Sequence, residues 1–359
     1  MKLSVLDLIG VRKGQTTGQA LRASREMAEV ADRLGYTRYW VAEHHNTASV
    51  ASTTPAVELM YLGENTRQIR LGSGGVMLPN HSALAIAEQF ALLAAVYGDR
   101  IDLGIGRAPG TDPITSAAIR GQLGGGHYVD SSGKPADPLR DFPKHVEDIR
   151  SLLSPCGAVF QLPLGRRYQL RPAPDVQHPP QIWLLGSSDY SAELAAELGL
   201  PYVFAHHFSG HGTERALALY RNGFRRAEGS PDIAPRTFVS VNVSVAETAD
   251  EAWELAEPHM LAMAMLRTGG SLDRARFVGD DVRSVLTDDL RDLVAPMVSS
   301  WAIGDPDQVR DQLRETAERF GVDEIMVHPV QGAREGDPAD SWPSRVRGLE
   351  LLANALLSE

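Results

Sequence analysis

The stretch LSVLDLIGVRKGQTTGQALRASREMAEVADRLGYTRYWVA, residues 3–42, decides the fold. It opens on an apolar run at residues 3–9. Residues 19–34 then carry apolar side chains at the spacing of an amphipathic helix, and Gly35 follows where a left-handed helix cap would lie. A second apolar run spans residues 38–42. The stretch therefore predicts a strand, a helix and a second strand.

The same alternation recurs along the rest of the chain. Predicted strands cover residues 3–9, 38–42, 69–76, 100–105, 182–185, 202–205, 237–245 and 324–328. Helical spacing occurs at residues 19–34, 55–65, 83–96, 142–153, 188–198, 212–227, 250–266, 306–320 and 345–357. This order predicts parallel strands joined by right-handed crossovers, and eight units favour a closed barrel over an open doubly wound sheet. We expect an α/β fold, a (β/α)8 TIM barrel forming one domain over residues 1–359.

Two stretches are longer than simple connections. Residues 108–141 follow the fourth predicted strand and include Gly124-Gly125-Gly126, and residues 267–296 follow the helix after the seventh strand. Long loops in compact domains are usually functional lids or disordered segments. We expect both as insertions at the C-terminal face of the barrel.

Composition narrows the class of partner. The chain of 359 residues is 43% hydrophobic and 23% charged, with a net charge of -11 and one cysteine, Cys156. The negative charge argues against nucleic acid or an anionic membrane as a partner, and one cysteine excludes an internal disulfide. Asp7 interrupts the first apolar run too early for a signal peptide, and no run approaches the roughly 18 apolar residues of a membrane span. A cytoplasmic protein that acts on small molecules is expected.

Polar and glycine residues collect where the predicted strands end, which is the catalytic face of such barrels. They are Glu43, His44, His45 and Asn46 after the second strand, Gly74 and Gly75 after the third, Arg107 after the fourth, Gly186, Ser187, Ser188 and Asp189 after the fifth, His206 and His207 after the sixth, and His328 at the eighth.

A metal site is not favoured by the histidine pairs. Successive side chains of a strand point to opposite faces, so His44 and His45 are poorly placed to bind one ion. We interpret His45, and one of His206 and His207, as packed and hydrogen-bonded. A metal-dependent barrel hydrolase is the least favoured alternative.

The segment from Gly186 to Ser191 lies between a predicted strand and helix. Unpaired N–H groups and hydroxyls at a helix start suit a phosphate, but ordinary N-capping by Ser187 or Ser188 explains the same residues, and the charge of Asp189 favours capping. Both interpretations stay open. Residues 104–110 have the spacing GxGxxxG, which fails the dinucleotide fingerprint and instead presents Arg107 to an anion. Gly74-Gly75 indicates either a strand bulge or a backbone that a flat ring can approach.

Four ordered motifs resemble those of the bacterial luciferase-like flavin monooxygenases. They are LGYTRYWVAEHH at residues 34–45, IRLGSGG at 69–75, RIDLGIGR at 100–107 and LLGSS at 184–188. The resemblance implies a (β/α)8 barrel, usually a dimer, that binds FMN or sometimes the deazaflavin F420.

The resemblance also implies roles for particular residues. His44 corresponds to the histidine that serves acid/base steps beside the flavin. Gly74-Gly75 falls where the family has a non-prolyl cis peptide beneath the isoalloxazine ring. The residues assigned to cofactor binding are Glu43, Gly74, Gly75, Arg107, Gly186, Ser187, Ser188 and Ser191. No metal is assigned.

By the same resemblance, the expected reaction is a two-component monooxygenation. FMNH2 from a separate NAD(P)H:flavin reductase would react with O2 to a C4a-peroxyflavin, which oxygenates a small organic substrate, and residues 267–296 would close over the site. F420-dependent hydride transfer and a non-catalytic flavin-binding homologue are the alternatives. A homodimer is expected, and the apolar residues of the helices between 55 and 96 either pack on the barrel or form its interface: Leu59, Met60, Leu62, Leu84, Phe90, Leu92 and Leu93.

Overall fold

Eight parallel strands close into a barrel in the computed structural model, which describes residues 1–123, 137–162, 165–173, 175–225 and 234–357. The strands in chain order are β1 (Lys2–Asp7), β2 (Arg38–Val41), β3 (Arg70–Ser73), β4 (Val76–Met77), β5 (Ile101–Gly106), β6 (Ala158–Gln161), β7 (Arg167–Leu170), β8 (Gln181–Gly186), β9 (Tyr202–Phe204), β10 (Thr237–Val245), β11 (Ala302–Gly304) and β12 (Glu324–Pro329).

The hydrogen-bonded order of the strands proves the closure. The order runs β10, β12, β1, β2, β3, β5, β8 and β9, and β9 pairs again with β10. Every pairing in this ring is parallel. The predicted TIM barrel is therefore confirmed, and the open sheet is wrong. β11 adds to the end of β10, while β6 and β7 form a separate antiparallel pair that the sequence pattern did not predict.

Helices follow the barrel strands. They are α1 (Thr17–Arg33), α2 (Pro55–Leu62), α3 (Ala83–Tyr97), α4 (Pro113–Ile119), α5 (Phe142–Leu152), α6 (Asp189–Leu198), α7 (His206–Ser209), α8 (Thr213–Gly223), α9 (Ala249–Thr268), α10 (Asp280–Arg283), α11 (Asp288–Val298), α12 (Pro306–Phe320) and α13 (Pro343–Leu356). The first helix begins at a capping box, in which Thr16 and Gln19 each accept from the other's backbone N–H. No helix within the described ranges is long and apolar enough to cross a membrane.

The third barrel strand is broken. The sequence predicts one strand over residues 69–76, but β3 ends at Ser73 and β4 begins at Val76. Between them the Gly74–Gly75 peptide bond is cis, as the family resemblance implies. β4 nevertheless continues to pair with β5, so the break keeps the barrel closed at this position.

The two long stretches differ from expectation. Residues 267–296 were expected as a loop, yet they contain α10 and most of α11, which pack on α9 through an apolar cluster. Their irregular part lies at the strand exits as expected, because Ala275 pairs with Val11 and Lys13 and the Leu272 carbonyl accepts from Thr47. Within residues 108–141 the structure has α4, capped by Asp112, whereas Gly124-Gly125-Gly126 lie outside the described residues.

The barrel interior is layered. Side chains two apart on a strand share a face, so each layer draws on several strands. At the entry end, Arg38, Asp102 and Glu324 form a buried ionic group. Above it lies an apolar layer of Leu6, Trp40, Trp183, Val203, Phe238 and Met326. The next positions toward the exit rim include Gly74 and Gly104, which lack a side chain, and the polar Ser240 and His328, and there the candidate site begins.

Candidate functional site

His44 follows β2 and carries an unpaired ring nitrogen. Its backbone N–H donates to the Ser52 carbonyl at 2.8 Å, which fixes the chain at the strand exit. Its Nδ1 is buried and has no hydrogen-bond partner. Burial lowers the pKa of His44, and the nearby charge of Glu43 only partly opposes this. The ring is therefore neutral at neutral pH and has one nitrogen available to a ligand.

Glu43 has a fully buried side chain that holds two segments together. Its Oε1 lies 2.8 Å from His45 Nε2 and 2.7 Å from His81 Nε2, and its Oε2 accepts from Met77 N at 2.9 Å. Burial acts to raise the pKa of Glu43, but these contacts, led by His81, lower it overall. Glu43 thus ties the exit of β2 to β4. Its predicted contact with the cofactor stays a prediction.

His45 is hydrogen-bonded, as the sequence analysis expects. The sequence analysis does not identify His81 as a second partner of Glu43. No motif marks His81, since it lies in an irregular segment before α3. Its role becomes visible only when the fold brings it to the carboxylate of Glu43.

Gly74 and Gly75 form a bare wall beside His44. A Cβ on Gly74 would lie 2.9 Å from Leu6 Cδ1 and 3.2 Å from Trp40 Cε3. A Cβ on Gly75 would collide with Leu185 Cδ1 and lie 2.9 Å from the Gly104 carbonyl oxygen. Packing alone therefore requires glycine at both positions. The approach of a flat ring to this backbone stays a prediction.

Arg107 and the start of α6 lie together after β5 and β8. The Arg107 guanidinium carbon is 4.0 Å from the ring centroid of Tyr190, and Arg107 forms no ion pair with any residue that the structure describes. Ser188 is the N-cap of α6, but its side chain makes no capping hydrogen bond. Asp189 pairs with Arg215 at 2.8 Å, which offsets its repulsion of an anion. These contacts favour the anion-site interpretation over ordinary capping.

Gly186 and Ser191 shape this turn. Ser191 Oγ donates to the Ser188 carbonyl at 2.8 Å and lies 3.2 Å from the Tyr202 hydroxyl. A Cβ on Gly186 would collide with Ser191 Oγ. Ser187 and Ser188 are exposed beside them.

The other half of the rim carries imidazoles and an amide. Asn242 Nδ2 donates to the His207 carbonyl at 2.8 Å, so its Oδ1 accepts from His328 Nδ1, also at 2.8 Å. His328 Nε2 therefore carries a lone pair. The rings of His207 and His259 lie 5.9 and 5.2 Å from that of His328. Burial lowers the pKa of His207 to about 4 and that of His259 to about 3, so these rings are neutral at neutral pH.

Asn242 was missed, although a signal existed. β10 reads TFVSVNVSV, in which Ser240, Asn242 and Ser244 alternate with valines. Such alternation places one polar row on one face of a strand. Within the described part of the chain, no three His, Cys, Asp or Glu side chains are grouped to hold a metal ion.

The residues present fit a flat cofactor with a phosphate tail. Four features occur on consecutive barrel strands, β2, β3, β5 and β8. They are an imidazole nitrogen without a partner among the described residues, a wall without side chains, and an uncapped helix start beside an arginine that forms no ion pair with those residues. This order along the rim can seat a ring against the glycines and its phosphate at α6.

Comparison with known proteins gives one consistent family. A family model described as luciferase-like monooxygenase matches residues 1–324. The uncharacterized protein YvbT of Bacillus subtilis is 38% identical over 98% of this chain and 96% of its own length. A luciferase-like monooxygenase of Escherichia coli is 36% identical over 90% of each chain. The crystal structure of apo-MsnO8 superposes with a TM-score of 0.83 at 34% identity, covering 100% of this chain and 99% of its own.

The family model covers most of the chain, and these two relatives match 98% and 90% of it. The chain belongs to the luciferase-like monooxygenase family.

Proposed function

We propose that this protein is an FMNH2-dependent monooxygenase that oxygenates a small organic substrate with O2. The observation that carries the proposal is the unpaired Nδ1 of His44 on the same rim as the glycine wall and the uncapped start of α6. A separate NAD(P)H:flavin reductase supplies the reduced flavin. Residues 104–110 do not match the dinucleotide-binding fingerprint, which supports reduction of the flavin by a separate protein.

Each part of the rim has a task in this proposal. Reduced FMN supplies the electrons and the reaction with O2. Arg107 and the free N–H groups of α6 hold its phosphate by charge and hydrogen bonds. Gly74 and Gly75 admit the ring, and His44 accepts or returns a proton at Nδ1. Because burial lowers its pKa, His44 is neutral and able to accept a proton at neutral pH.

Equilibrium titration followed by turnover tests the proposal. We expect photoreduced FMN to bind anaerobically, and admission of O2 with a substrate to give an oxygenated product and little H2O2. Arg107→Gln should weaken flavin binding, since the substitution removes the positive charge that would attract the phosphate. Tight binding of F420 without consumption of O2 would instead indicate the hydride-transfer alternative. Flavin binding without turnover would indicate a non-catalytic homologue.

We also propose a homodimer through α2 and α3. Leu59, Leu62, Phe90 and Leu93 are buried against the barrel, which accounts for them as core residues. On the same helices, however, four large apolar side chains stay exposed: Val57, Met60, Leu92 and Val96. Exposed apolar side chains on neighbouring helices are typical of a symmetric interface.

Light scattering with size-exclusion chromatography measures this directly. The wild type should have twice the chain mass of 39.0 kDa, and Leu92→Glu should give a monomer. Leu266→Glu is the matched control, because Leu266 is an exposed leucine on a different helix, α9. A monomeric wild type, or a dimer that survives Leu92→Glu, would contradict the interface.

A further inference from the structure

A buried arginine that contacts no carboxylate among the described residues lies between the exits of β1 and β12. Arg345 belongs to the first turn of α13, and only 8% of its surface is exposed. Its Nε donates to the Gln331 carbonyl at 3.1 Å, and its guanidinium carbon lies 3.8 Å from the ring centroid of Trp342. Its Nη1 and Nη2 form no hydrogen bond or ion pair with any residue that the structure describes.

The contacts of Arg345 place its guanidinium at the rim. Gln331 lies two residues after the end of β12 at Pro329, and Gly10 lies three residues after the end of β1 at Asp7. A Cβ on Gly10 would lie 3.5 Å from both Nη1 and Nη2, so the guanidinium lies over a position that has no side chain. In the ring of strands, β1 and β12 are opposite β5 and β8, which carry Arg107 and the start of α6. The two positive centres are therefore on opposite sides of the rim.

The charge of Arg345 is not neutralised by a direct contact. Asp7 is the acidic residue that acts most on it, but Asp7 Oδ1 accepts from Ile9 N at 2.8 Å and Oδ2 accepts from Tyr39 at 2.6 Å and from Ser24. Burial lowers the pKa of Arg345 to about 10, so the group stays charged at neutral pH. Asp7 therefore compensates this buried charge only without a direct contact, and a ligand anion would add the direct pairing.

Arg12 provides an internal comparison. It lies on the same Trp342 ring, with its guanidinium carbon 5.4 Å from the centroid. Unlike Arg345, it donates through Nη1 and Nη2 to the carbonyls of Ser341, Asp337 and Pro338. One arginine of the pair is thus occupied by the protein, and the other is left for a ligand.

We propose that Arg345 binds a carboxylate of the organic substrate, so that the substrate is an organic acid. This rests on the proposed monooxygenase function. Two unpaired Nη groups on one planar guanidinium match the two oxygens of a carboxylate. His328 lies near the end of β12, and the Gln331 carbonyl that accepts from Arg345 Nε follows three residues later, so the anchor lies at the same strand exit as this imidazole. The phosphate of the flavin binds across the barrel and does not compete.

Binding of matched acid and amide probes tests the carboxylate site. Calorimetry on the flavin-free protein and on the protein with FMN compares butyrate with butyramide and benzoate with benzamide. We expect each acid to bind at least tenfold tighter than its amide. Arg345→Met should abolish that preference and Arg345→Lys should keep part of it, since the charge remains but the bidentate geometry is lost. Arg12→Met, on the same tryptophan, should keep the full preference.

The outcomes separate the two proposals. Equal binding of acid and amide by the wild type, including no binding of either, would overturn the carboxylate site. So would an unchanged preference in Arg345→Met, or inorganic phosphate that binds as tightly as benzoate to the protein with FMN, in which the flavin phosphate already fills the site at α6. If Arg345→Met does not fold, the folded Arg345→Lys variant provides the test. A loss of half or more of the acid preference would support the carboxylate site, and a smaller loss would contradict it. Failure of reduced FMN to bind, measured separately, contradicts the monooxygenase proposal while the acid preference is still measured.

Discussion

The unpaired Nδ1 of His44 makes this residue the sharpest test at the residue scale. His44→Ala should lower turnover by about 10²- to 10⁴-fold, the range expected when a general acid or base is removed. Because burial holds the pKa of His44 below the ordinary value of histidine, wild-type turnover should stay constant around neutral pH and fall only in acid, where the imidazole gains a proton. Steady-state rates from pH 5 to 9 measure both effects.

His45→Asn is the matched control for His44. It removes a hydrogen bond to Glu43 but leaves the unpaired nitrogen of His44, so it should lower stability more than turnover. Full activity of His44→Ala would remove the acid/base role.

Single residues were predictable from the sequence where a motif and a strand end coincide. The sequence places His44, Arg107 and Ser188 after strands, and the structure has them within three residues after the ends of β2, β5 and β8, whereas their roles stay predictions. His81 and Arg345 could not be found, since their partners, Glu43 and Gln331, are chosen by the fold and not by spacing along the chain.

At the scale of single elements, the broken third strand depends on the absence of side chains. Gly75→Ala would place its Cβ against Leu185 and 2.9 Å from the Gly104 carbonyl oxygen, which cannot move without shifting β5. We expect a loss of about 1–3 kcal/mol in the free energy of unfolding, as for other overpacked sites. Denaturation in urea measures it.

Gly18→Ala is the control for that substitution. Its Cβ would meet only Arg22 Nη1, at 3.7 Å, on the exposed side of α1. The free energy of unfolding should stay equal or rise by up to about 1 kcal/mol, because alanine favours the helix. A Gly75→Ala protein as stable as Gly18→Ala would show that the wall tolerates a side chain.

The contact between α7 and α8 predicts a particular pH dependence of stability. His206 Nδ1 lies 2.7 Å from Thr213 Oγ1, and burial, aided by the charge of Arg319, lowers the His206 pKa to about 4. Above about pH 6.5 His206 is neutral in both folded and unfolded chains, so its contribution is complete there. Between about pH 6.5 and 4 the unfolded chain binds the proton first, and up to roughly 3 kcal/mol is lost.

Unfolding free energies at several pH values check this sign. His206→Gln should show a flatter loss of stability between pH 7 and pH 4.5 than the wild type. An equal slope in both proteins would mean that other groups produce the acid sensitivity.

The sequence predicts helices well where the pattern of apolar residues extends over several turns, and poorly where the helix is short. α1 and α12 have wide apolar stripes and caps that the sequence displays. The sequence analysis assigns the residues of α10 and α11 to a loop, because their Asp-rich first turns resemble loop composition. Thr287 and these acidic residues are in fact typical of the first turn of a helix.

Across the whole molecule, the ionic group at the entry end of the barrel joins several strands. Arg38 contacts Glu324 on β12 at 2.6 Å and Asp102 on β5 at 2.8 Å, and Arg70 on β3 contacts Asp102 at 2.6 Å. Arg38→Met leaves two buried carboxylates with fewer partners and should cost about 3–5 kcal/mol of unfolding free energy. Chemical denaturation measures this cost.

Arg347→Met is the surface comparison. Arg347 pairs with Glu247 at 2.6 Å, but both side chains are exposed. Its loss should cost less than about 1 kcal/mol. A similar loss of unfolding free energy in the two variants would show that the buried ionic group stabilises the barrel no more than a surface ion pair does.

The global architecture was the most predictable level, because eight alternations of strand and helix leave few ways to bury every strand. The internal layers were less accessible. The sequence contains Arg38, Asp102 and Glu324 far apart, and only the register of the strands brings them to one height in the barrel.

A barrel sealed at its base by ions and by an aromatic layer works as a cup with a single mouth. In the proposed reaction, flavin, oxygen, organic acid and product would all pass through that one opening. Binding and release would consequently be ordered: the ligand that binds deepest would bind first and dissociate last. A product that dissociates slowly would delay binding of the next substrate.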